Sequence, residues 1–157
     1  MTAGMTFSDS DKRGGGNIHW VRAGLRVLFG VVFVTASIDK IANPAAFAEV
    51  IFNYQILPDA WVNLAAIGLP WLELVIGLAV IAGIWLPGAL LWGNLLLAAF
   101  IGVLVFNISR GLNIDCGCFH AAAGDADPAE MWWTVIRDAA LLSVGLYLSW
   151  TASAAEN

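Results

Sequence analysis

Hydrophobic positions in this chain fall in long unbroken blocks. They do not alternate with period two, and they do not recur on a single helical face, so the blocks read as helices apolar all round. From Leu74 to Ser109, 36 consecutive residues carry no Asp, Glu, Lys, Arg or His. A helix needs about 20 residues to cross a bilayer, so this run holds two crossings, divided at Gly83-Ile84-Trp85-Leu86-Pro87-Gly88. Two further blocks complete the set, and the pattern predicts spans at about 18–41, 70–86, 88–109 and 131–150. Between the first two, Asn43-Pro44 reads as an N-cap followed by proline at the first helical position. Phe47, Val50, Ile51 and Tyr54 then share one face of a short interfacial helix. Leu57-Pro58-Asp59 restarts the chain, and Gly68-Leu69-Pro70 is expected to kink or break the helix before span two.

The expected fold is therefore all-α, an integral membrane four-helix bundle with a short interfacial helix after span one. Residues 1–16 read as a disordered cytoplasmic lead, 17–152 as the four-span domain and 153–157 as a polar tail. Composition agrees, with 60% hydrophobic and only 12% charged residues in 157, far from the usual soluble domain. Tryptophans such as Trp20, Trp61, Trp85, Trp132, Trp133 and Trp150 fall near the expected span ends, where their rings anchor at the membrane surface.

The net charge of −5 says little about partners, because the two signs are segregated along the chain. Lys12, Arg13, Arg22 and Arg26 lie before or early in span one, whereas Asp115, Asp125, Asp127 and Glu130 follow span three. By the positive-inside rule this puts both termini in the cytoplasm of a bacterial inner membrane, with the loop after span three on the periplasmic side. A signal peptide with Val27 to Ala36 as its apolar core competes with this reading of span one. No phosphate-binding loop, dinucleotide fingerprint, metalloprotease helix or nucleic-acid motif is present.

Candidate chemistry collects at the outer end of the expected bundle. Cys116 and Cys118, the two cysteines of the chain, sit one residue apart around Gly117. A disulfide closing so small a ring is held away from relaxed torsions and is more readily reduced than a structural one. The residues leave four readings open: a redox pair, a fixed disulfide pinning the loop, two spectator thiols, or a soft-metal site. Glu73, about a turn into span two, is expensive in lipid unless it meets Lys40, Arg137 or a proton. It is a candidate proton carrier for a redox step, or else one half of a structural ion pair. Arg137 is a candidate for lowering a thiol pKa or holding a quinone carbonyl, or for pairing with Asp138 or Glu73. The inner half of the bundle carries almost no polar residue by this reading.

These segments resemble the MauE family of methylamine utilisation proteins, within the wider group of DoxX-like four-helix membrane proteins. The resemblance rests on Asp39-Lys40-Ile41 with Asn43-Pro44 and Phe47, on Asn53-Tyr54 and Leu57-Pro58, and on Leu69-Pro70-Trp71-Leu72-Glu73-Leu74 with Gly77. It continues through Arg110-Gly111-Leu112, Asp115-Cys116-Gly117-Cys118-Phe119 and Arg137-Asp138. Asn is common in the family where Asp138 stands. The resemblance implies a bundle like that of vitamin K epoxide reductase-type proteins and a role in periplasmic thiol redox. That role includes a thioredoxin-like partner and the maturation of a disulfide-rich enzyme such as methylamine dehydrogenase. A lipid quinone is the expected exit for the electrons, with Cys116, Cys118, Glu73 and Arg137 as the expected catalytic residues and Trp71, Lys40 and Arg110 expected around the quinone. The epoxide reductases carry extra loop cysteines that relay electrons, and this chain has a single pair. Electrons entering that pair must leave through another molecule. Rival readings are a soft-metal-binding membrane protein and an accessory subunit of a larger membrane complex with a structural disulfide.

Overall fold

A computed structural model of the chain describes residues 11–111 and 128–153, with side chains described for 20–111 and 131–152. Within these, five helices follow in order: α1 (Asp11–Ala42), α2 (Pro44–Asn53), α3 (Asp59–Ala82), α4 (Leu86–Ser109) and α5 (Pro128–Ser153). The four long helices pack side by side, α1 on α3, α3 on α4, α4 on α5 and α5 back on α1, while α2 lies against α1 and α3. Among the described residues, three helices are long and apolar enough to cross a membrane: Trp20–Ala42 within α1, then α3 and α4. Together they fit an all-α, multi-pass membrane protein.

Three local expectations change. The first helix begins at Asp11, ahead of the expected start near residue 18. The helix containing Glu73 begins at Asp59 and runs unbroken through Pro70 to Ala82, so of the kink or break expected at Gly68-Leu69-Pro70 the break does not occur. Pro70 forfeits one backbone hydrogen bond. The apolar residues on both sides continue the helix past it, and the proline is itself buried against neighbouring helices. Asn43 precedes α2 without capping it: its side-chain amide points back to the Asp39 carbonyl at 3.5 Å. The turn at Gly83-Ile84-Trp85 is confirmed, with Gly83 and Trp85 both left-handed at φ 73° and 46°.

Packing of α1 on α3 depends on missing side chains. A Cβ on Gly30 would lie 2.7 Å from the Gly77 carbonyl oxygen, and one on Gly77 would lie 2.9 Å from that of Gly30. Small residues at such a crossing let two backbones touch, which is how helices associate without a hydrophobic drive. Around it, Phe29, Phe33, Ile76, Val80, Leu90, Leu97 and Leu148 form the main apolar core. A second cluster of Phe47, Ile51, Val62 and Ala66 seats α2 on α3, as the expected apolar face of α2 requires. Most other apolar side chains point outward, Leu64, Val75, Leu78 and Leu95 among them, which suits a surface solvated by lipid.

Candidate functional site

The crossing at Gly30 and Gly77 lines up the two polar residues that α1 and α3 carry nearer their α2 ends. Lys40 is 1% exposed and Glu73 3%. The Lys40 ammonium donates to both carboxylate oxygens of Glu73, at 2.8 and 2.9 Å. Its remaining surroundings are aromatic, since Nζ stands 5.0 Å from the ring centre of Phe47 and 4.9 Å from that of Phe100. Cation–π attraction of this kind contributes about 2 kcal/mol when the charge is desolvated. The ammonium is thus held by a carboxylate and two ring faces, on elements α1, α2, α3 and α4.

A second pair faces the first. Arg137 donates to Asp138 Oδ1 through Nε at 3.0 Å and Nη2 at 2.9 Å, with the Asp138 side chain buried and Arg137 partly exposed. Both pairs line one cavity of about 40 Å³, closed by Phe33, Ala36, Leu97, Phe100 and Leu141. That is room for a few water molecules. Two cations and two anions line this small space, and of the four only the guanidinium cannot exchange a proton. The Lys40–Glu73 pair also ties α1 to α3, whereas Arg137 and Asp138 are neighbours on α5.

Among the expected site residues, the structure unites Lys40, Glu73 and Arg137. Arg110 lies apart, at the end of α4, where its guanidinium reaches the Tyr54 carbonyl at 3.5 Å and Gln55 Oε1 at 3.3 Å and covers the Phe106 ring. It fastens the end of α2 to the end of α4. Trp71 is 54% exposed and does not line the cavity. Two residues from Glu73 on a helix, it points to another side. Cys116 and Cys118 lie outside the described residues, in the segment joining α4 to α5.

Several buried polar residues escaped the sequence reading, which counted charges and passed over amides. Asn94, expected in a stretch with almost no polarity, donates to Ser149 Oγ at 3.0 Å and so links α4 to α5. Its carbonyl oxygen has no partner, and neither side-chain polar atom of the fully buried Asn107 has one. Asp138, by contrast, was a named candidate partner of Arg137, and it is the more buried of that pair. A lone Asn in an otherwise apolar block is the signal that finds such sites, because an amide in lipid must face protein.

The family model described as methylamine utilisation protein MauE matches residues 18–151. The chain is 32% identical over 127 residues to the methylamine utilization protein MauE of Paracoccus denitrificans, covering 80% of this chain and 66% of the relative. It is 34% identical over 134 residues to that of Paracoccus versutus, covering 82% and 67% respectively. To that of Methylophilus methylotrophus it is 31% identical over 124 residues, covering 76% and 62%. The chain thus spans about two thirds of the length of these curated relatives, slightly less for the first. No solved structure matches it. With the family model covering nearly all of the described helices and the relatives at this identity, the chain belongs to the methylamine utilisation protein MauE family.

Proposed function

We propose that the chain is a multi-pass bacterial inner-membrane redox protein in which Cys116 and Cys118 exchange disulfide with a periplasmic thioredoxin-like partner and pass electrons to the quinone pool. In this reading α5 is the fourth crossing of a DoxX-like bundle, both termini are cytoplasmic, and the cysteines face the periplasm. The names of its relatives support a place in methylamine utilisation. The task that fits is oxidation of thiols in a disulfide-rich enzyme such as methylamine dehydrogenase.

The observation that carries this reading is the cavity bounded by Lys40–Glu73 and Arg137–Asp138, four charged side chains set among apolar helices. Oxidising two thiols to a disulfide releases two electrons and two protons, and reducing a quinone to a quinol consumes the same number. Such a reaction inside a membrane needs groups that hold protons, and buried ionisable residues there mark proton paths. Glu73 is the proton carrier. A proton arriving at Glu73 replaces Lys40 as its partner, while the ammonium keeps the faces of Phe47 and Phe100. Arg137 supplies positive charge toward a thiolate or a quinone oxygen.

Trapping free thiols with a maleimide-polyethylene glycol reagent across graded redox buffers tests the reading. The expected result is a pair that titrates reversibly, and Cys116→Ser or Cys118→Ser variants that leave partner thiols reduced in cells. A pair that stays oxidised in every buffer, with unchanged partner thiols in both variants, overturns it.

A further inference from the structure

Of the four seams between long helices, the one joining α1 to α5 is the thinnest. A groove of about 330 Å³ opens there, lined by Leu28, Phe29, Trp133, Ile136, Ala140 and Val144, with Arg137 and Leu141 completing its wall. Arg137 and Leu141 also line the cavity of the four charged residues, so the apolar groove on the outer surface and that chamber share a wall. The groove's rim is open: Leu28 is 55% exposed, Ile136 58% and Trp133 69%. Its only charged lining residue is the arginine at that shared wall. A molecule suited to both halves has a long apolar tail, a flat head and an oxygen that accepts from a guanidinium.

A rival slot of about 190 Å³ lies under α2, lined by Phe47, Ile51, Tyr54, Ile56, Leu57, Leu69, Phe100 and Val103. It contains no charged residue, and the rings of Phe47 and Phe100 stand between it and Lys40. A head group lodged there is shielded from the proton-holding residues. The α1–α5 groove has no such screen.

Resting on the redox reading above, we propose that the membrane quinone enters sideways from the bilayer through the α1–α5 groove, its tail along Leu28, Ile136 and Val144 and a head oxygen at Arg137. This assigns the quinone to a different wall from Trp71 and Arg110. Arg137 then has two faces of work, holding Asp138 on the chamber side and the head group on the groove side. The two protons released by the thiols reach the head one after the other by way of Glu73, and with the two electrons they convert the quinone to the quinol.

The test uses the purified full chain in lipid nanodiscs, labelled with a photoreactive azido-ubiquinone carrying a ten-carbon tail. Label is expected on peptides of α1 holding Leu28 and of α5 holding residues 133–144, and decylubiquinone should compete it away. Ala140→Trp, which fills the groove, should cut labelling at least tenfold, whereas Val103→Trp in the slot should leave it within twofold. Quenching of tryptophan fluorescence by decylubiquinone gives a second readout independent of the labelled groove variant, and Trp133→Phe should remove most of it. Label concentrated on Phe47, Ile51 and Tyr54, abolished by Val103→Trp, overturns the groove and leaves the quinone reading standing. Groove labelling that decylubiquinone does not displace marks a seat for lipid tails only and overturns the assignment. No saturable label anywhere overturns the quinone reading itself.

Discussion

The helices of this protein are crossed by two polar layers, built on opposite principles. Near α2 the layer is ionic: Lys40 with Glu73 and Arg137 with Asp138, arranged around a cavity. Further from α2, the layer of Asn94 bonded to Ser149 is neutral. There the packing is tight, since a Cβ added to Gly145 would collide with Asn94 Oδ1 and lie 2.8 Å from the Phe29 ring. Charges with room around them can change partners and protonation. An amide wedged against a ring and a glycine can only hold helices in place. The difference separates a layer capable of chemistry from one that serves packing, although both are buried and polar.

The sharpest way to break that contrast is to unpair the ionic layer. Lys40→Met leaves the Glu73 carboxylate buried without its cation, and removing one partner of a buried pair costs about 3–5 kcal/mol. Reversible unfolding in mixed micelles should show a loss of that size. Lys40→Met with Glu73→Leu should regain most of the stability, because apolar residues replace buried ion pairs at little cost. The same double variant should still fail to support thiol oxidation. A double variant that oxidises partner thiols normally would show the ionic layer to be structural like the neutral one.

The neutral layer should respond to volume instead. Gly145→Ala forces a methyl group toward Asn94 and Phe29, and overpacking of this kind costs about 1–3 kcal/mol. Its effect should appear in unfolding alone, with thiol titration curves unchanged.

Smallest of all should be Asn107→Leu. Asn107 is fully buried with both amide atoms unpartnered, so an apolar side chain of similar volume removes an unmet polar cost. The variant should be as stable as the parent or about 1 kcal/mol more so. A large loss would mean that Asn107 binds something in the working protein.

These layers were unequally legible in the sequence. Glu73 and Lys40 announce themselves because a charge inside an apolar block is costly enough to demand a partner, and the residues named the candidates correctly. Which candidate wins is another matter. Arg137 and Lys40 were equal suitors for Glu73, and the close approach of α1 to α3 at Gly30 and Gly77 decided for Lys40, leaving Arg137 to Asp138. Trp71 stood in the same short motif as Glu73 and was placed with it, yet a helix turns neighbouring residues to different sides. The short helix α2 was readable through the spacing of Phe47, Val50, Ile51 and Tyr54. The proline break was not, because one missing hydrogen bond cannot end a helix that apolar residues on both sides continue.

By itself the sequence determined the solvent and the elements: blocks too apolar for water, helices because lipid leaves no other way to satisfy a backbone, and a handful of ionisable residues that had to face inward. Only the tertiary structure decided which of them meet. Ion-pair choice, the shared wall between the charged chamber and the α1–α5 groove, and the tight Asn94 layer all depend on helix crossings. Those crossings are set by contacts between residues far apart in the chain, such as Gly30 against Gly77 and Phe29 against Gly145, and no local pattern encodes them.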